Sequence, residues 1–146
     1  MALPEFNSDG DLPPGVHKAS LEEVVRRYGS TSGSRKVCTE RLVHILDLAS
    51  RTGFLRRLVI FGSYVTRKAE PNDVDIILLM DDNFHLETCP TELRALFDHA
   101  LAQARYGASI FWARPGVLLD DTVESFISHW QIKRGRGKRG IVELEL

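Results

Sequence analysis

The stretch FGSYVTRKAEPNDVDIILLM, Phe61 to Met80, decides the fold. An apolar run from Leu58 to Phe61 leads straight into Gly62-Ser63, and nine residues then separate that pair from Asp73 and Asp75 at the head of IILLM. Short apolar runs bounded by turn residues read as buried strands, here Leu58 to Phe61 and the run DVDIILLM, whose start Pro71-Asn72 fixes. Two carboxylates at a strand entrance need an explanation, because desolvating an ionised carboxylate costs several kcal/mol unless something compensates. Either that face is open or something positive sits there.

Side chains alternate along a strand, so Asp73, Asp75, Ile77 and Leu79 share one face while Val74, Ile76, Leu78 and Met80 share the other. The strand rise puts the two aspartate Cα atoms about 6.5–7 Å apart, close enough for both carboxylates to converge on one cation or a close pair. Magnesium takes oxygen ligands of this kind, using one or two carboxylates together with substrate phosphates. At the end of the preceding strand, Gly62 permits close backbone approach and the turn after it can offer N–H groups to phosphate. A phosphate cradle and a metal anchor would face the same space.

Outward from this core, residues 1–19 contain Pro4, Gly10, Pro13, Pro14 and Gly15 with little periodic apolar signal and read as an irregular N-terminal arm. Ser20 followed by Glu23 forms a capping box for a short helix that Gly29 ends. A longer helix runs from about Arg35 to Thr52, with Cys38, Leu42, Ile45, Leu46 and Ala49 at helical spacing. After the strand pair, Leu93, Leu96, Phe97, Ala100, Leu101 and Ala104 make one stripe of a helix from about Thr91 to Tyr106. Ala108 to Ala113 reads as a third core strand. Asp120 or Asp121 then caps a further helix buried through Val123, Phe126, Ile127 and Trp130. The closing IVELEL alternates, which predicts a half-exposed strand at a sheet edge. The pattern is mixed α/β (α+β): a small mixed β-sheet covered by helices mainly on one face, with residues 20–146 as one domain.

The bulk properties leave function open. The 146 residues, 43% hydrophobic and 27% charged, fall in the ordinary globular range. Cys38 and Cys89 form no CxxC, and the five histidines show neither HxxxH nor HExxH spacing, which argues against zinc. No apolar run nears the roughly 20 residues a membrane span needs, and the N-terminus lacks the basic-then-apolar order of a secretory signal, so a cytoplasmic protein is expected. The net charge of −1 is unevenly placed. Lys133, Arg134, Arg136, Lys138 and Arg139 make a basic segment on an otherwise acidic chain, which is either a polyanion contact or a solvated loop.

The order strand, Gly-Ser, nine residues, Asp-x-Asp, strand resembles the nucleotidyltransferase superfamily, the DNA-polymerase-beta-like fold, and especially its minimal bacterial members. The opening LPPGVH and the ending KRGIVELEL are similar to those of a small bacterial family of nucleotidyltransferase-like proteins. The resemblance implies that Gly62 and Ser63 bind a nucleoside triphosphate such as ATP and that Asp73 and Asp75 are catalytic magnesium ligands, with two ions in an active enzyme. Thr66, Arg67 and Lys68, by their chemistry, add hydroxyl and cationic contacts to phosphate. The implied reaction moves a nucleoside monophosphate to an RNA or protein hydroxyl, in some members within a toxin-antitoxin or defence module with a cognate partner. One position departs from the family: a third carboxylate usually stands on the next core strand, and here Ser109 aligns with it. A neutral hydroxyl supplies neither the charge nor the basicity of a carboxylate, so a catalytically weakened nucleotide-binding or RNA- or protein-interaction module is the alternative. His44, His99 and the pairs Arg26-Arg27 and Arg56-Arg57 read as surface residues, and Phe111, Trp112 and Trp130 as core.

Overall fold

A computed structural model describes residues 3–29, 31–118, 121–133, 135 and 137–146 of the chain. Five strands, β1 (Val16–Ala19), β2 (Leu55–Phe61), β3 (Val74–Met80), β4 (Ala108–Ala113) and β5 (Ile141–Leu144), form one mixed sheet in the order β1-β5-β2-β3-β4. β2 and β3 are antiparallel, β3 and β4 parallel, and β5 lies antiparallel to β2 and parallel to β1. Helices α1 (Leu21–Tyr28), α2 (Gly33–Arg51), α3 (Thr91–Arg94), α4 (His99–Tyr106) and α5 (Val123–His129) complete the fold.

Alternation along β3 sorts its two faces as the sequence implies. Val74, Ile76, Leu78 and Met80 enter the main core with Val24 and Tyr28 of α1 and Leu42 and Ile45 of α2. Ile77 belongs to a smaller cluster on the opposite face, where Val59, Ile141 and Ile127 of α5 pack with Phe61 and Trp130. Helices therefore cover mainly one face, and the carboxylate-bearing face is only partly roofed, by α5. Trp112 packs with the main core and donates from Nε1 to the Phe97 carbonyl at 3.1 Å.

Several expectations need correction. The irregular arm ends at Gly15, and residues 16–19 are strand β1. The final strand is interior, between β1 and β2, with every residue of Ile141–Leu144 buried. Polar alternation misleads there because Glu143 is buried with a partner: Arg57 grips it with Nε at 3.0 Å and a second nitrogen at 2.6 Å, and reaches Glu124 at 2.7 Å. A paired, hydrogen-bonded carboxylate tolerates an interior position that an isolated one does not. Arg57 is thus structural rather than solvated surface. The expected 91–106 helix is broken, because Asp98 leaves helical geometry (φ −117°, ψ 112°) and accepts the Leu101 N–H as the cap of α4. After the break the stripe no longer runs inward: Ala102 is buried, while Leu101 is 49% exposed. The cap of α5 is Thr122, whose hydroxyl accepts the Ser125 N–H at 3.0 Å. Ser20 caps α1, but the Glu23 carboxylate accepts the Leu3 N–H rather than closing a capping box.

The chain's two ends form one unit. The Gly140 N–H donates to the Leu12 carbonyl at 2.9 Å, the Ile141 N–H to Gly15 at 3.0 Å, and Val16 and His17 lie in register with Ile141 and Val142. A side chain at Gly140 would overlap the Pro13 carbonyl, so this junction requires glycine.

Candidate functional site

Strand register builds the site. Phe61 of β2 lies opposite Asp75 of β3, which lies opposite Ser109 of β4, so the end of the Gly-Ser strand, the carboxylate and the serine form one row across the sheet. Gly62 follows with φ 79° and ψ −163°, a backbone region that is essentially glycine-only. The Asp75 carboxylate fills the space where a Cβ at Gly62 would stand. The turn and the second aspartate are thus in direct contact. Asp73, just before β3, is joined to the row by Ser109, whose hydroxyl donates to Asp73 Oδ2 at 3.2 Å.

Both carboxylates are half-buried, and among the described residues no lysine or arginine forms an ion pair with either. Burial first, and the neighbouring Asp73 charge second, push the Asp75 carboxyl up to about 6 from 3.8; Ser109, Arg139 and His99 oppose the rise. Negative charge has been concentrated here without a protein counter-charge in contact, which is the electrostatic condition a divalent cation relieves. Two carboxylates also match the oxygen-donor chemistry and ligand number by which magnesium is held beside phosphates. Among the described residues no group of three or more His, Cys, Asp or Glu side chains is arranged to hold a metal. Of the other candidate carboxylates that are described, neither replaces Ser109: Asp98 is engaged as the α4 cap, and Asp121 lines a separate cleft with Phe126, His129 and Lys138; Asp120 lies outside the described residues.

The turn after Gly62 is held by a residue that no sequence motif singles out. Arg35 in the first turn of α2 is 3% exposed. Its guanidinium donates to the carbonyls of Tyr64 (2.7 Å), Thr66 (2.7 Å), Lys68 (2.6 and 3.1 Å) and Tyr28 (3.3 Å). Five donors in a fixed fork suit an arginine to such a cradle of carbonyls. Nothing in the spacing around one arginine on an amphipathic helix announces this role. Thr66 is buried and its hydroxyl is spent inside the turn, donating to the Ser63 carbonyl at 2.7 Å and accepting the Lys68 N–H at 3.1 Å. Its part is to shape the turn, and Arg67 and Lys68 remain exposed at its rim.

Ser63, Thr66, Arg67 and Lys68 line a cleft of about 540 Å³ together with Asp9, Gly10, Asp11, Lys133 and Arg139. Of the basic segment, Lys133 and Arg139 therefore face this cleft, Lys138 lines the separate one beside α5, and Arg134 and Arg136 lie outside the described residues. The N-terminal arm supplies the floor: the Arg67 N–H donates to the Gly10 carbonyl at 2.8 Å, and Asp11 meets Lys133 at 2.7 Å and Arg139 at 3.7 Å. Asp11, in an arm with no chemical motif, is the other residue the sequence left unmarked.

Among the described residues no helix is long and apolar enough to cross a membrane. The chain matches, over residues 4–145, the model of a family of unknown function (DUF6932), and it belongs to that family. No curated protein and no solved structure matches it.

Proposed function

We propose that this member of the family is a magnesium-dependent nucleotidyltransferase built on the DNA-polymerase-beta-like fold. The observation that carries the reading is the contact between Gly62 and the Asp75 carboxylate, with Asp73 alongside, because it joins the phosphate turn and the carboxylate pair into one site. The five-stranded mixed sheet with helices mainly on one face is compatible with such a fold. Asp73 and Asp75 would hold the metal, which when bound neutralises phosphate charge and stabilises the oxygens of an in-line displacement. Ser63 and the Arg67-Lys68 rim orient the triphosphate, and Arg35 keeps that turn rigid, since positioning supplies much of the rate in phosphoryl transfer.

In the reaction, an acceptor hydroxyl oxygen bonds to the α-phosphorus as the bond from that phosphorus to the bridging oxygen breaks. Pyrophosphate leaves, the hydroxyl proton passes to solvent, and the acceptor carries a nucleoside monophosphate. The acceptor class is a hydroxyl of RNA or protein, with a cognate toxin or antitoxin as partner in the cytoplasm. Ser109 favours a second reading: with a hydroxyl opposite Asp75, the chain binds the nucleotide and transfers nothing.

The test is to incubate the protein with each labelled triphosphate, magnesium and a cell extract. Label entering RNA or protein, and lost with Asp73→Asn/Asp75→Asn, supports transfer. Magnesium-dependent binding without incorporation selects the second reading, and absence of both refutes the site.

A further inference from the structure

We propose that Lys133 and Arg139 of the C-terminal basic segment are polyphosphate ligands, completing with Arg67 and Lys68 one cleft that takes the phosphate tail of a nucleoside triphosphate, while Asp11 holds these two side chains in place. The inference rests on the nucleotide reading of the Gly-Ser turn and extends it to two parts of the chain that the reading does not need. Asp11, Arg67, Lys133 and Arg139 come from the two ends and the middle of the sequence, yet they line the same cleft.

Asp11 explains the meeting. It is 4% exposed, and a carboxylate buried to that degree requires a partner. Lys133 and Arg139 supply it while keeping 29% and 28% of their own side chains exposed, enough to reach a ligand. Around the cleft stand Arg67, Lys68, Lys133 and Arg139 against Asp9 and Asp11, so positive charge is in excess. Two backbone ties hold Lys133 and Arg139: the Lys133 N–H donates to the Gly137 carbonyl at 3.0 Å and the Arg139 N–H to the Gln131 carbonyl at 2.9 Å.

A phosphate chain fits this arrangement better than an RNA strand. The cations converge on a concave space of about 540 Å³ beside Ser63 rather than spreading along a surface. Lys138, which an RNA-binding segment would use equally, lines the cleft beside α5 instead.

Titration calorimetry with inorganic tripolyphosphate, without metal, tests the cleft apart from the carboxylates. Wild type binds; Lys133→Gln/Arg139→Gln weakens binding at least tenfold; Lys138→Gln changes it less than twofold. Because the double variant strands Asp11, the same pair is also made with Asp11→Asn, and thermal melts establish that this triple variant folds. With magnesium, the double and triple variants should lose preference for nucleoside triphosphate over monophosphate. Wild-type tripolyphosphate affinity in the folded triple variant overturns the proposal, as does equal weakening by Lys138→Gln accompanied by salt-sensitive RNA binding. If tripolyphosphate binding depends on Lys133 and Arg139 while Asp73→Asn/Asp75→Asn leaves magnesium-dependent nucleotide binding untouched, the nucleotidyltransferase reading fails and the anion cleft stands.

Discussion

Replacing Asp75 by asparagine should make the apo protein more stable. Burial and the adjacent Asp73 charge raise the Asp75 carboxyl from 3.8 to about 6, so the folded state binds this proton more tightly than the unfolded state does. Stability is therefore lost as the pH rises from 3.8 through about 6, and the penalty is complete above that window. At 1.36 kcal/mol per pH unit the difference amounts to about 3 kcal/mol, which solvent screening at a half-buried carboxylate reduces to about 2 kcal/mol. Asparagine keeps the shape and removes the charge. For a domain of this size such a gain raises the melting temperature by roughly 4–8 °C. Thermal melts of wild type and Asp75→Asn from pH 4 to 8 should start nearly together at the acid end and separate as the pH rises, with the variant melting higher. Magnesium should narrow the gap by stabilising wild type alone. A variant that melts at or below wild type at pH 8, or a gap independent of pH, would refute the view that Asp75 carries uncompensated charge.

Three further outcomes follow from the same geometry. Gly62→Ala places a Cβ in a glycine-only backbone region and against Asp75 Oδ2, so urea unfolding should report a loss of roughly 1–3 kcal/mol, and magnesium-dependent nucleotide affinity should fall with it. Arg35→Met removes the donors that hold the Tyr64, Thr66 and Lys68 carbonyls; a loss of about 3 kcal/mol or more is expected, with faster proteolysis in the 64–68 turn. Thr122→Ala should cost about 1 kcal/mol in chemical denaturation as the α5 cap, whereas Asp121→Ala should have little effect.

The central strand pair was legible because period-two alternation and turn residues are local signals. Val74, Ile76, Leu78 and Met80 sort to one face and Ile77 to the other, as the sequence implies, and Ser109 lies in register with Asp75. Local pattern failed where a distant partner reverses its meaning. Glu143 marks an exposed face by polarity, yet Arg57, 86 residues away in sequence, makes it interior. Asp98 interrupts an apolar stripe by capping within it, a competition between side-chain and helical hydrogen bonding that periodicity does not register. In the candidate site, the turn and the aspartates carry a motif, whereas Arg35 and Asp11 act through contacts across 29 to 33 and 122 residues respectively, with no pattern in their own neighbourhoods.

The most direct measurement is calorimetric titration of a nucleoside triphosphate into wild type and into Asp73→Asn/Asp75→Asn, each with and without magnesium. Saturable binding to wild type that magnesium strengthens at least tenfold is expected, with no magnesium effect in the double variant. Equal affinity in all four titrations, or magnesium dependence that survives loss of both carboxylates, would contradict it.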